Sequence, residues 1–191
     1  MKFLTLIILV CCAPREKKQP ALVQDNIRGT VELNVKEIRH VKKSAKFFSS
    51  TTEKDTFILE LRGNYVTKSK IRFRIISFSN EVIYEDQFDM MALYGFGPDV
   101  TKPNPDSITV EKHLLERFEN FFNSDNFVRP AIKENTKYEE IYNDIIPEEE
   151  WEQIKNNSAS IGFVYTLWEE SISYIVYSKK MKKAIVYQVC C

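Results

Sequence analysis

Four glutamates surround a tryptophan in a short stretch that could support acid chemistry: Glu148, Glu149, Glu150 and Glu152 flank Trp151. Glycoside hydrolysis needs two carboxyl groups about 5 to 10 Å apart, and the ring could stack on the sugar. Pro147 precedes the stretch, however, and acidic side chains in the first turn of a helix interact favourably with the helix macrodipole. No second acid is paired with this group in the sequence. The pattern therefore favours the start of a helix over a hydrolase site.

Other residues that could act in catalysis are few. His40 and His113 are the only histidines, and a nucleophilic serine or cysteine needs such a base nearby. We expect His113 to flank the apolar side of a helix with its ring partly exposed. Gly95 and Gly97 begin like a dinucleotide-binding fingerprint, but the third glycine and a surrounding βα unit are missing, so they predict a turn. We therefore predict no catalytic residue, no metal site and no cofactor.

The cysteines lie in two adjacent pairs, one near each end of the chain. A thiophilic metal needs more ligands than Cys190 and Cys191 offer, and no CxxC spacing accompanies them. We expect these two residues to finish the last strand.

The first fourteen residues have the pattern of an export signal. Lys2 supplies a positive charge, residues 3–10 are all apolar or Thr, and cysteines stand where such a signal ends. The segment is shorter than the about 20 apolar residues that span a bilayer. Leu9, Val10, Cys11 and Cys12 resemble the lipobox of bacterial lipoproteins, in which the last cysteine is lipidated and becomes the mature N-terminus.

The resemblance implies lipidation at Cys12, with Cys11 as the alternative register. It implies a protein anchored by lipid to a membrane of the bacterial cell envelope, facing either the periplasm or the cell surface. We predict a signal peptide at residues 1–11, a lipidated cysteine and flexible tether at residues 12–27, and one globular domain at residues 28–191. In overall pattern the chain is similar to many small uncharacterised lipoproteins of Gram-negative bacteria.

The composition is that of an ordinary globular domain, with 43% hydrophobic and 28% charged residues. The 27 basic residues equal the 27 acidic ones, which argues against nucleic-acid binding because that function normally requires a basic excess. Thirteen phenylalanines and nine tyrosines, with only five glycines, favour packed β-sheets.

Alternation with a period of two predicts antiparallel strands in both halves of the domain. The first half is predicted to hold four strands, at residues 31–36, 57–61, 71–75 and 82–85, with a loop at residues 42–55. The last third is predicted to form a three-strand meander over residues 161–187, with turns at residues 169–170 and 179–183. The fold class is therefore α+β, with about seven mainly antiparallel strands.

A helical insertion is predicted between the two groups of strands. Asp106 and Ser107 can cap a helix that begins near Ile108. A short helix is expected at residues 138–143, and another after Pro147 that ends near Asn156.

Residues 94–105 form the strongest candidate for a binding surface. This segment is long for a loop in a compact domain, Tyr94 and Phe96 are expected to be exposed, and prolines beginning at Pro98 stiffen it. We predict Tyr94, Phe96 and Pro98 as binding residues. The other interpretation is that these aromatic side chains simply cover one end of the sheet.

Basic residues offer two further surfaces. Residues 179–183 hold four lysines, which could meet anionic head groups or could form a solvated turn that discourages aggregation. Arg72 and Arg74 are expected on the outer side of their strand, paired with acids such as Glu60 or Glu85.

Three functions stay open. The favoured one is a non-catalytic binding or interaction module whose partners are the membrane, through the N-terminal lipid, and an envelope protein. The alternative is an inhibitor or immunity-type lipoprotein that inserts the rigid loop into a periplasmic enzyme. A hydrolase using acidic residues is the least favoured, and the sequence does not indicate an oligomeric state.

Overall fold

The computed structural model describes residues 37–98, 105–138 and 146–190. Within these ranges the chain forms two four-stranded antiparallel sheets and two helices. The first sheet contains β1 (Ile38–Phe47), β2 (Lys54–Gly63), β3 (Lys70–Ile76) and β4 (Val82–Asp89). The second contains β5 (Phe127–Val128), β6 (Gly162–Leu167), β7 (Ser171–Ser178) and β8 (Lys183–Cys190), and the helices are α1 (Ser107–Asn120) and α2 (Glu148–Lys155).

The α+β class and the antiparallel pairing are confirmed, but the described residues hold eight strands rather than about seven. The predicted loop at residues 42–55 is wrong, because residues 42–47 belong to β1 and pair with β2 along their length. The prediction failed because lysines occupy the inward side of this edge strand. Lys42 pairs with Glu119 at 2.8 Å, and Lys46 Nζ lies 4.8 Å from the centroid of the Phe127 ring. Long lysine stems thus cover apolar surface while their charges reach solvent.

The second correction concerns β5. It has two residues, which pair with Phe163 and Gly162 of β6, so the predicted three-strand meander is extended to four strands. Two residues are too few to show alternation. The predicted first strand at residues 31–36 lies outside the described residues.

The predicted helix boundaries agree with the structure. Asp106 is the N-cap of α1, and its carboxylate accepts a hydrogen bond from the backbone N–H of Thr109 at 2.9 Å. Helix α2 follows Pro147 and ends before Asn156. Of the predicted short helix, residues 139–143 lie outside the described ranges. Neither described helix is long and apolar enough to cross a membrane.

The two sheets pack against each other through an aromatic core. Phe57 and Phe73 of the first sheet lie 5.5 and 5.6 Å, centroid to centroid, from Phe163 of the second. Helix α1 closes this core with Leu114 and Phe118, both essentially inaccessible to solvent. Edge-to-face and tilted ring pairs of this kind contribute about 0.5–1.5 kcal/mol each beyond the burial of apolar area.

A second, smaller core covers the other side of the second sheet. Trp151 and Ile154 of α2 pack there against Val176 and Ile185. Ile175 and Val176, neighbours in β7, are both buried because one faces each core. The second sheet is therefore covered on both sides by described residues, whereas no described helix or strand packs on the outer side of the first sheet.

The connections gather at two ends of the sheets. At one end, the β1–β2, β3–β4 and β7–β8 turns meet around a depression of about 400 Å³ that is lined by Phe48, Phe78 and Lys179, among others. At the opposite end, the segment after β4 meets the β6–β7 turn, where Trp168 N–H donates to Ala92 O at 2.6 Å. This second end holds most of the described part of the predicted binding segment.

Candidate binding groove

An open groove of about 630 Å³ lies at this second end, between the segment that follows β4 and the β6–β7 turn. A 3₁₀ turn (Met90–Leu93) leads from β4 into the groove wall. The lining residues are Met91, Tyr94, Gly95, Trp168, Glu169, Glu170 and Ser171. The structure thus joins one predicted binding residue, Tyr94, to a turn that the sequence analysis had treated only as a connection.

Tyr94 is fixed from two sides. His113 of α1 donates from Nε2 to Tyr94 O at 2.9 Å, and the two rings meet edge to face at 5.7 Å. On the other side lies Gly97, where an added Cβ would be 2.8 Å from the Tyr94 hydroxyl oxygen. Gly97 has a φ of +81°, a backbone conformation that residues other than glycine rarely adopt. Both the backbone oxygen and the ring of Tyr94 therefore have contacts within the domain.

Trp168 forms the opposite wall in an unusual conformation. Its φ is 58°, in the left-handed region, and the residue is 55% exposed to solvent. For a bulky residue this backbone conformation costs about 1–2 kcal/mol relative to the right-handed one. Glycine or asparagine would occupy the position at lower cost. The groove therefore presents a large exposed side chain on a costly backbone conformation.

Phe96 and Pro98 lie on the same segment as Tyr94 but do not line the groove. Phe96 is 64% exposed, and Pro98 is partly buried. Both therefore flank the groove on its Tyr94 side. The rest of the predicted segment, residues 99–104, lies outside the described ranges.

Two carboxylates complete the groove. Glu169 and Glu170 are exposed at the β6–β7 turn, next to Trp168. Among the residues that the structure describes, neither carboxylate is paired with a cation or a hydrogen-bond donor. The groove therefore combines two aromatic walls with two uncompensated negative charges. Of the groove residues, only Tyr94 was predicted as a binding residue; Glu169 and Glu170 were predicted only as a turn.

The glutamate group at residues 148–152 does not form a sugar site. Trp151 is fully buried, so its ring cannot stack on a ligand from solvent. Glu150 is also buried and accepts a hydrogen bond from the Ser178 hydroxyl, while Glu149 lies 3.6 Å from Lys180. These contacts tie the start of α2 to the β7–β8 turn.

A partly buried polar network links the two sheets. The Tyr84 and Tyr165 hydroxyls lie 2.9 Å apart, and Tyr165 donates to Asp86 at 2.9 Å. Burial raises the pKa of Tyr84 to about 12, and burial together with the nearby Tyr84 and Asp86 raises the pKa of Tyr165 further. Both hydroxyls therefore stay protonated at neutral pH, and their geometry is that of a link between β4 and β6.

The remaining predicted sites are only partly described. Cys190 ends β8, while Cys11, Cys12 and Cys191 lie outside the described residues. Within the described ranges, no three His, Cys, Asp or Glu side chains lie close enough together to hold a metal ion.

No protein-family model, curated protein or solved structure matches this chain.

Proposed function

We propose that this protein is a lipid-anchored module of the bacterial cell envelope that binds another envelope protein through the groove between Tyr94 and Trp168, without catalysing a reaction. The observation that supports it best is Trp168, which is exposed and held in a costly backbone conformation opposite a fixed tyrosine.

The groove has the features of an interface centre. Tryptophan and tyrosine dominate the residues whose truncation weakens protein complexes most, because each buries a large ring with little loss of conformational freedom. Here Tyr94 already contacts His113 and Gly97 within the domain. A partner would therefore lose little free energy in ordering this wall, which favours tight binding.

The lipid anchor is supported by the residues around Cys12 and is tested by the mass of the mature protein isolated from membranes. We expect an acylated cysteine at the N-terminus that begins at Cys12. The substitution Cys12→Ser should abolish the adduct, while Cys11→Ser should leave it in place. The reverse result would move the lipid to Cys11. An unmodified N-terminus in the native protein would exclude the anchor.

The groove is tested by quantitative recovery of a cross-linked partner from envelopes that carry the full chain. Trp168→Ala should reduce recovery by about tenfold or more, as expected for an interface centre. Phe78→Ala is a matched control, because Phe78 is 56% exposed but lies at the opposite end of the sheets. Equal losses for the two variants would contradict the groove as the binding site.

A second candidate, an inhibitor that inserts its own segment into a periplasmic enzyme, is favoured by one observation. Phe96 protrudes from a segment whose neighbours, Gly95 and Gly97, both have positive φ and whose Tyr94 is fixed. In this case Phe96→Ala would weaken binding more than Trp168→Ala, and the recovered partner would be an enzyme with reduced activity. A larger effect of Trp168→Ala would favour the groove.

A further inference from the structure

The outer side of the first sheet carries a marked excess of positive charge. The strand register places seven basic and three acidic side chains on this side, a net charge of +4. The basic members are Arg39, Lys43, Lys54, Arg62, Lys70, Arg72 and Arg74, and the acidic ones are Glu60, Glu85 and Asp89. Because the whole chain is neutral, the remainder must carry an equal negative excess. The charge is therefore segregated, and we call this surface the basic face.

Pairing within the basic face leaves much of this charge uncompensated. Arg72 forms a two-pronged ion pair with Glu85, as predicted. Glu60, in contrast, is shared by three arginines: Arg74 lies 3.1 Å away, and Arg39 and Arg62 each lie 3.8 Å away. One carboxylate cannot neutralise three guanidinium groups.

Exposed apolar side chains lie among these charges. Val41, Phe47 and Val82 are on the same side of the sheet and are all at least 40% exposed. A surface that combines cationic and apolar side chains has the chemistry to lie on anionic head groups, where the charges attract the lipid and the apolar groups enter the boundary region.

We infer that the basic face docks on an anionic phospholipid bilayer. The inference extends the proposed function, since the lipid anchor would hold the face near its target. Only 24 residues lie between Cys12 and Glu37, which immediately precedes β1. The predicted tether, residues 12–27, would keep the basic face and the bilayer at an effective concentration on the order of millimolar, so weak contacts are sufficient. The groove lies at the end of the sheets rather than on this face, so docking would leave it accessible.

Vesicle binding by the full chain tests this inference without any lipid modification. The chain carries Cys11→Ser and Cys12→Ser, and the vesicles contain phosphatidylcholine with or without phosphatidylglycerol. We expect tighter binding to the anionic vesicles and loss of that preference at high salt, because screening weakens surface charge interactions. The apolar residues 3–10 contribute to both vesicle types, so only the difference between them is interpreted.

Matched variants then locate the surface. Replacing Arg39, Lys43 and Arg62 with glutamine should weaken binding to anionic vesicles by about tenfold or more, since each such charge contributes up to about fivefold. Replacing the exposed Lys112, Lys133 and Lys137 with glutamine removes the same charge elsewhere and should weaken it by less than about threefold. Equal losses for the two sets would overturn the inference.

Two further measurements keep the result unambiguous. Circular dichroism and thermal unfolding should show that both triple variants remain folded, and Arg39→Lys with Arg62→Lys should retain vesicle binding because the charge is kept. Binding to double-stranded DNA as tight as to anionic vesicles at the same salt would contradict a lipid target. The assay involves neither a protein partner nor lipidation, so its failure would leave the proposed function untouched.

Discussion

The two tryptophans of this chain occupy opposite environments. Trp151 is fully buried between α2 and the second sheet. The centroid of its ring lies 5.7 Å from that of the Tyr138 ring and 4.7 Å from Lys155 Nζ. Trp168 is 55% exposed at a turn, in a left-handed backbone conformation. Packing explains the first side chain, whereas the second is left largely in solvent.

The difference separates the aromatic residues of this protein into two kinds. Aromatic side chains buried between the two sheets, or between α2 and the second sheet, stabilise the fold because folding removes their apolar surface from water. Removing one should lower the free energy of unfolding. Those that line the groove remain in water and are held by backbone features, so removing one should affect binding with little change in stability. The predictions that follow test this separation.

The largest effect is expected for Trp151→Ala. Removing a fully buried tryptophan leaves a large cavity in the second core, and such substitutions lower the free energy of unfolding by about 3–5 kcal/mol. Denaturant-induced unfolding of the full chain would measure the change.

Trp151→Phe is the matched control. The Trp151 Nε1 atom is buried and has no hydrogen-bond partner, so phenylalanine removes an unsatisfied donor while retaining most of the apolar volume. We expect a loss of less than about 2 kcal/mol for this variant. A loss as large as that of Trp151→Ala would mean that the indole is needed for more than packing.

The next effect is the pH dependence of stability. Burial raises the pKa of Tyr84 from 10.0 to about 12. A group whose pKa is raised on folding stabilises the protein fully below its unfolded pKa, and this contribution is lost as the pH rises through the folded value. The free energy of unfolding should therefore fall by about 2–3 kcal/mol between pH 10 and pH 12 from this group.

Tyr84→Phe should remove that part of the alkaline decline. Tyrosine absorbance, followed together with unfolding, should show that Tyr84 and Tyr165 ionise only when the two sheets separate. Ionisation of these residues near pH 10 in a chain that stays folded would show that the link between β4 and β6 is open to solvent.

The elements with strong local patterns could be predicted from the sequence. Alternation in β2, β3 and β6 reflects one side of each strand facing the aromatic core, and the Asp106 cap fixes the start of α1 through a local hydrogen bond. The alternation in β7 reflects Tyr174 and Val176, which face the second core. The edge strand β1 could not be predicted in the same way. Its inward residues include Lys42 and Lys46, whose burial depends on contacts with α1 and β5 that are distant in the sequence.

The site was only half predictable for a similar reason. Tyr94 and Phe96 stand out in a long segment rich in proline and glycine. Trp168 did not stand out, because alternation in β6 continues through it and its left-handed backbone is visible only in three dimensions. The basic face was also invisible, since it depends on the register between β1 and its neighbours.

A substitution at Gly97, which packs against Tyr94, should disturb the groove. Gly97→Ala places a Cβ 2.8 Å from the Tyr94 hydroxyl oxygen at a φ of +81°, so the tyrosine must move and the backbone is strained. We expect a loss of about 1–2 kcal/mol in the free energy of unfolding, together with weaker partner binding. Gly95→Ala is the control for strain alone, because at Gly95 the nearest atom to an added Cβ, Trp168 O, is 3.8 Å away. If the two variants bound the partner equally well, the position of Tyr94 would not matter for recognition.

The smallest change in stability is expected at the most exposed wall of the groove. Trp168→Gly relieves the strain of the left-handed conformation but adds freedom to the unfolded chain, and these opposing effects should leave the free energy of unfolding within about 1 kcal/mol of its original value. Partner binding should nevertheless be lost, as for Trp168→Ala. Trp168→Ala retains the positive φ and should therefore be less stable than Trp168→Gly. If instead Trp168→Gly destabilised the protein as strongly as Trp151→Ala, the indole at the groove would have a structural role, and the distinction between the two tryptophans would fail.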